Sequence, residues 1–398
     1  MNVKQTFLSN QAQITQNPIG LEVSHAKGIY IYDKKGDKYI DLIAGVSACT
    51  LGHSNPKINN AIKKQLKKYT HIMVYGEYNQ EPQVRLAEKL AKNLPKKLNC
   101  SYFVNSGTEA IEGAVKLAKR ITGKFKVVYC EKSYHGSTHG ALSYMGSEKF
   151  KEKYRPLLPG GVQIGFNNMN DLKKIQKDIA AIIIEPIQGG SGFVPAKKQW
   201  LKEIRRICNQ KKIILIFDEI QTCFGRTGKL FGFENYNTIP DILCLAKGMG
   251  GGMPIGCFIS SKNYMSKLSK NPPLGHITTF GGHPISCIAA LTTLSELTNY
   301  KIIKNIPKKE KLFRENLKHE EIIEISGIGL MLGVRFKNKL FCEKVIKECY
   351  KKRILTFYFL NEKKSMRISP PLNIKDTEII KSCKKIIKII DYCKKTND

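Results

Sequence analysis

The stretch IILIFDEIQTCFGRTGKLFGFENYNTIPDILCLAKGMGGG, residues 213–252, decides the fold. It holds two short aliphatic runs, Ile213 to Phe217 and Ile242 to Ala246, each of the kind expected in a strand covered on both faces of a parallel sheet. The first run leads into an acid, Asp218, and the second into a lysine, Lys247. In such a sheet two strand ends can meet in one crevice. A carboxylate beside a lysine in apolar surroundings serves either as an ion pair or, more specifically, as a clamp for pyridoxal phosphate. In that chemistry the lysine forms a Schiff base with the cofactor aldehyde, while the acid keeps the pyridine nitrogen protonated so that the ring accepts electrons.

The pattern extends in both directions. From Cys100 to Ser261 apolar strands alternate with helical segments: CSYFVNSG and a helix, KVVYCEKS, AAIIIEPIQ, a helix near Trp200 to Asn209, the two runs above, and IGCFISS. This alternation predicts an α/β fold with a parallel-rich sheet. Upstream, GIYIYDKKGDKYIDL reads as two strands around a turn at Lys35-Gly36-Asp37, and Pro56 through Tyr69 reads as a helix. After roughly Glu296 a charged helix, the strand-like ISGIGLMLGVRF, another helix and a last strand, MRISPP, form a smaller α/β lobe joined by the N-terminal segment. The expected domains are an N-terminal part of the small domain over 1–50, a large cofactor-binding domain over 51–298 and a C-terminal part of the small domain over 299–398.

Composition narrows the function classes. A chain of 398 residues, 42% hydrophobic, can bury a large core. No apolar run approaches the roughly 20 residues of a membrane span, and the opening MNVKQTFLSNQAQITQNPIG lacks the apolar core of a signal peptide, so a cytoplasmic protein without membrane contact is expected. The 12 cysteines include no C-x-x-C pair, which favours free thiols over a disulfide or zinc framework. Of the eight histidines only His135 and His139 stand at H-x-x-x-H spacing, and without the glutamate of H-E-x-x-H, so no metal site is expected. The formal charge of +33 would attract polyanions, yet only 10 of the 66 basic residues are arginine and the lysines are spread through the whole chain. Arginine is the usual bidentate reader of phosphates and base edges, so this charge reads as a solvated lysine surface and not as a nucleic-acid interface.

Five further features sit at or just beyond strand ends. Asn105-Ser106-Gly107-Thr108-Glu109 opens an amphipathic helix whose free N–H groups, with the Ser106 and Thr108 hydroxyls, can hold a phosphate; an ordinary helix cap is the alternative. Tyr134-His135-Gly136 follows the next strand, where an aromatic ring can cover a flat cofactor or simply pack in the core. Glu185 ends a third strand, and Gln221, three residues beyond Asp218, can hydrogen-bond a phenolate oxygen on the ring. The run Gly248 to Gly252 lacks G-x-G-x-x-G spacing and gives room beside Lys247. Arrival of these features at successive ends of one sheet, in an order that serves one ligand, gives them their weight.

With LGHSNP, NSGTEA, YHGST, IIEPIQG, FDEIQTCFGRTGK, LAKGMGGGMPIG, TTFGGHP and MRISPPL in this order, the chain resembles the class III aminotransferases of pyridoxal phosphate fold type I, from about Pro18 to the C-terminus. The resemblance implies a large domain with a mainly parallel seven-stranded sheet and a smaller α/β domain. It implies that Lys247 carries the cofactor, that Asp218 pairs with the pyridinium nitrogen, that Gly107 and Thr108 hold the phosphate with Ser106 beside them, and that Tyr134 stacks on the ring. Gln221 meets the ring oxygen, and His135 and Glu185 join the cofactor-binding set. Thr279 resembles the residue that reaches the phosphate from the neighbouring subunit, which implies a homodimer with shared active sites.

On the substrate side the resemblance makes Arg367 the grip for the α-carboxylate of glutamate. Ser137 stands where ornithine and acetylornithine enzymes usually carry an arginine for a second carboxylate, and Gly190 stands where they usually carry the glutamate that masks the first arginine. Val46 occupies a place where ornithine δ-aminotransferases tend to have tyrosine and acetylornithine enzymes a small aliphatic residue. The expectation is an aminotransferase of the acetylornithine type, passing the amino group of a small-molecule amino acid to 2-oxoglutarate. The alternatives are enzymes acting on ornithine, 4-aminobutyrate or succinyl-diaminopimelate, and a polyanion-binding protein on an inactive scaffold.

Overall fold

The computed structural model describes residues 2–299 and 301–396. Three antiparallel strands come first: β1 Val23–Lys27, β2 Tyr30–Asp33 and β3 Lys38–Asp41. The strands β4 Cys100–Val104, β5 Lys126–Cys130, β6 Gly161–Ile164 and β7 Ile179–Ile184 follow, then a short hairpin of β8 Ile187–Gln188 and β9 Val194–Pro195. The strands β10 Ile214–Asp218, β11 Ile242–Leu245 and β12 Gly256–Ser260 complete a seven-stranded sheet in the order β4-β12-β11-β10-β7-β5-β6. Every neighbouring pair is parallel except those of β12, which runs against both β11 and β4.

Strand alternation supplies both faces of this sheet with core. Ile182, Ile184, Leu215, Phe217, Leu243 and Leu245 pack into one apolar cluster, while Ala181, Ile183, Ile214, Ile216, Ile242 and Cys244 pack into another on the opposite face. That is why the two runs that open the sequence reading are apolar throughout: both side-chain sets are buried, each full aliphatic burial contributing about 1.5–3 kcal/mol. The helix Gly107–Thr122 covers the second face. Ser106 caps its start by accepting from the Glu109 N–H, and Gly123 ends it at φ +68°. Gly113 lets it approach the sheet, since a Cβ there would lie 2.3 Å from Phe258 Cε1.

The C-terminal part holds β13 Ile322–Gly327, β14 Leu332–Phe336, β15 Ile354–Leu355, β16 Phe357–Tyr358 and β17 Ser365–Ile368. β13, β14, β17 and β16 form one antiparallel sheet, and β15 adds in parallel to β3, so both ends of the chain share a sheet.

The structure corrects three local readings. ISGIGLMLGVRF is two strands and not one, turning through Gly327 at φ +100° and Gly329 at φ +66°. A 20-residue helix, Asp376–Lys395, follows MRISPP, where the sequence reading ended on a strand; its lysines mask an apolar stripe of Ile379, Cys383, Ile386, Ile390 and Cys393. The seventh strand, β6, was not among the quoted runs because it is a sheet edge with only Ile164 fully buried. All 12 cysteines are free thiols, and among the described residues no helix is long and apolar enough to cross a membrane.

Candidate active site

The C-terminal ends of the parallel strands open into a cavity of about 920 Å³. Asp218 closes β10 and Cα-pairs with Cys244 on adjacent β11, so Lys247, three residues further on, stands beside it across one strand spacing. Lys247 begins a tight 3-10 turn with φ +44°, and Gly248 must be small because a Cβ there would lie 2.5 Å from Thr50 Oγ1. The room that the glycine run was expected to give is therefore room for the chain at Thr50.

Asp218 is fixed from two sides. Its Oδ2 meets His135 Nδ1 at 2.7 Å and its Oδ1 accepts the Ile220 N–H at 3.1 Å, with both side chains buried. Burial pulls the His135 pKa down, but the hydrogen bond and charge of Asp218 outweigh it, and the net shift is upward. His135 Nε2 has no partner among the described residues. Enclosure lowers the Lys247 pKa; Asp218 and Glu185 act in the opposite direction and Arg367 with it. Glu185 is pushed up to about 7, first by burial, although it accepts the Tyr134 N–H at 3.1 Å and the Gly189 N–H at 2.9 Å.

At one end of the cavity the Gly107 and Thr108 N–H groups start the long helix, the place where a helix leaves its donors unpaired. Ser106 Oγ serves as the helix cap, so the bland alternative for that hydroxyl is realised, yet the residue still lines the cavity. Thr108 Oγ1 lies 2.5 Å from Thr138 Oγ1, which in turn donates to Glu112 at 2.7 Å. Gly136, at φ +138°, lets the loop close on this helix, since a Cβ there would lie 2.2 Å from Thr108 Oγ1. Two helix-end donors and two hydroxyls suit an anionic group such as a phosphate, with Glu109 held by Asn105 and Glu112 by Thr138.

Arg367, on β17, also lines the cavity and lies between the rings of Phe193 and Phe359, 4.7 and 4.5 Å from their centroids. Its Nη2 donates to Gly189 O at 3.0 Å, while Nη1 is buried without a partner among the described residues. Burial pushes its pKa down to about 10, still far above neutrality. A buried guanidinium with an open donor edge is a ready partner for a carboxylate. Tyr134 OH lies 3.1 Å from Ser137 Oγ, and Gln221 Nε2 donates to Ser47 Oγ at 3.4 Å.

The cavity thus gathers Ser106, Gly107, Thr108, Tyr134, His135, Ser137, Glu185, Gly190, Asp218, Gln221, Lys247, Arg367 and Val46. Thr279 lies outside it, exposed, on the segment where Thr278 accepts from Asn105 at 2.9 Å. The sequence reading missed Thr138, which stood inside the quoted YHGST, and the wall of Phe357, Tyr358 and Leu360, whose neighbours carry no spacing signal. Among the described residues no three His, Cys, Asp or Glu side chains gather as metal ligands.

The fit to pyridoxal phosphate is chemical: one cavity offers an anion cradle, an amine, a buried carboxylate and a free guanidinium edge. Comparison with known proteins agrees. A family profile described as Aminotransferase class-III matches residues 11–390. An acetylornithine aminotransferase of Clostridium acetobutylicum is 38% identical over 371 residues, covering 89% of this chain and 92% of the relative. A putrescine aminotransferase of Pectobacterium atrosepticum is 37% identical, covering 90% of this chain and 80% of the relative. Among solved structures, the ornithine aminotransferase from Toxoplasma gondii ME49 superposes with a TM-score of 0.90 at 28% identity, covering 100% of this chain and 97% of that one.

Proposed function

The chain belongs to the class III aminotransferases, which depend on pyridoxal phosphate, and from that premise we propose that it moves the amino group of N-acetylornithine to 2-oxoglutarate. When bound, pyridoxal phosphate supplies an aldehyde that captures amines and a ring that accepts electrons. In this reading Lys247 would hold the cofactor and would serve as the general base and acid for the substrate proton; its lowered pKa suits that task. Asp218, oriented by His135, would pair with the ring nitrogen and keep it protonated. Ser106, Gly107 and Thr108 would hold the phosphate, with Tyr134 and Gln221 completing the cofactor-binding set. Glu185 holds the Tyr134 and Gly189 backbone from behind. Arg367 takes the carboxylate of glutamate.

The observation that carries this reading is that Asp218 and Lys247, on adjacent strand ends, line one cavity together with Arg367. The acetylornithine assignment draws on the relatives of that name and on the short aliphatic Val46 in the cavity wall. A second reading has its own support. Arg367 is the one arginine lining the cavity among the described residues, and Ser137 offers a hydroxyl where a second carboxylate would want a cation, which favours donors without a distal carboxylate, such as the diamine named for the putrescine relative. A half-reaction screen separates the two: purified holoenzyme is mixed with single amines and the loss of its visible absorbance is followed. Fast loss with N-acetylornithine and slow loss with putrescine supports the first reading, and the reverse order overturns it. We also infer a homodimer in which Thr279 of each subunit completes the other's phosphate cradle.

A further inference from the structure

The chain between β3 and the helix Pro56–Leu66 makes a turn of the unusual hand. φ is +52° at Ala44, +59° at Gly45, +58° at Val46 and +67° at Ser47. Left-handed backbone drives Cβ toward the following carbonyl oxygen, so it is normally adopted by single residues, glycine first. Four in succession, one of them β-branched, need support from outside the turn.

That support is present on both flanks. Asp41, buried at the end of β3, accepts the Ile43 and Ala44 N–H groups on Oδ1 at 2.8 and 3.0 Å, which holds the entrance of the turn. Its Oδ2 meets His53 Nε2 at 2.7 Å. The His53 backbone exchanges two hydrogen bonds with Gly28, at 2.7 and 3.0 Å, which fixes the main chain that carries the ring. Residues on both sides of the turn therefore converge on one carboxylate. What the turn presents is the cavity wall: Val46 and Ala48 line it, and Ser47 Oγ takes the amide of Gln221. Relaxing the turn to the right-handed form would send Val46 and Ser47 in other directions.

We infer that Asp41 and His53, neither of which reaches the cavity, are positioning residues that hold residues 44–47 left-handed, so that Val46 walls the donor site and Ser47 orients Gln221 toward the cofactor. The inference rests on the aminotransferase reading above. Holoenzyme variants test it through the cofactor Kd, kcat, and KM for two amine donors of different bulk, beside the thermal midpoint. His53→Ala is expected to raise donor KM and cofactor Kd about tenfold each, the size of one lost charged hydrogen bond, while kcat at saturation changes less than about threefold. His53→Gln, which keeps an N–H for Asp41, is expected to recover most of both. The strain offers an independent readout: Val46→Gly removes the β-branched residue from the left-handed position, so adding it to His53→Ala should reduce the loss of cofactor affinity. Donor KM and cofactor Kd within about twofold of wild type in His53→Ala, with a lower midpoint alone, would overturn the inference. Should His53→Ala not accumulate as folded protein, the isosteric Asp41→Asn carries the same test with the same two outcomes. A wild type that turns over no amine fails the functional reading itself, whereas an active wild type with unmoved variants fails only the positioning role.

Discussion

A carboxylate that must keep a ring nitrogen charged needs a fixed position more than an exposed one, and Asp218 is fixed by His135 on one oxygen and the Ile220 N–H on the other. Asp218→Asn keeps that shape and loses the charge. Removing one partner of a buried charge pair costs about 3–5 kcal/mol, so kcat should fall by at least about a hundredfold, with cofactor still bound; near wild-type turnover in this variant would mean that another group serves the nitrogen. His53 offers a residue-scale test by pH. The Asp41 hydrogen bond and then the Cys49 contact, against burial, push its pKa up to about 10. A raised folded-state pKa contributes stability that is fully present below the unfolded value of about 6.5 and is lost as pH climbs toward about 10. The charged and titratable groups around it are Asp41, Cys49 and, beside those two, Arg226. Between pH 7 and 10 the wild-type thermal midpoint should therefore fall more steeply than that of His53→Gln, and equal slopes would show that the ring carries no proton across this range.

Specificity belongs to elements, in the loop that follows β5 and the turn of the β8–β9 hairpin. Ser137 and Gly190 sit on these two loops, and both line the cavity. A Cβ at Gly190 would meet its nearest neighbours, Asn361 and Tyr134, at 3.5 and 3.6 Å, an ordinary contact, so a side chain can be accepted there. Ser137→Arg with Gly190→Glu should add a carboxylate partner at one end and occupy Arg367 at the other, raising kcat/KM for N-acetylornithine over a plain diamine by about ten- to a hundredfold. A ratio that does not move would show that other residues anchor the donor. The helix Gly107–Thr122 gives a packing test: Gly113→Ala gains helix propensity but drives a methyl into the buried Phe258 ring, and overpacking should win, lowering stability by about 1–3 kcal/mol in denaturant titration. These elements also mark how far the sequence was legible. Strands buried on both faces announce themselves as unbroken aliphatic runs, so β7, β10 and β11, and with them Asp218 and Lys247, could be placed from the sequence. β6 at the sheet edge and the lysine-clad helix Asp376–Lys395 lack that signal because only one side of each is buried. The left-handed turn at residues 44–47 was illegible for a different reason: its support, Asp41 with His53, comes from residues that read as a strand end and a loop.

At the scale of the whole molecule, the sheet brings distant segments to one cavity, with Val46 from the N-terminal part, Lys247 from the central sheet and Arg367 from the C-terminal sheet. The proposed homodimer adds Thr279 from a second copy, and mixing subunits tests this. Lys247→Ala and Thr279→Ala chains, each weak alone, should regain up to about a quarter of wild-type activity when co-refolded in equal amounts, because one site of the hybrid then has an intact lysine and an intact threonine; no gain on mixing would mean that each chain builds its own site. The central claim is that Lys247 carries the cofactor, and borohydride reduction of the holoenzyme followed by peptide mapping tests it most directly. The expected result is one reduced pyridoxyl phosphate adduct, on the peptide that holds Lys247, and none in Lys247→Ala. An adduct on a different lysine, or full transaminase turnover by Lys247→Ala, would contradict it.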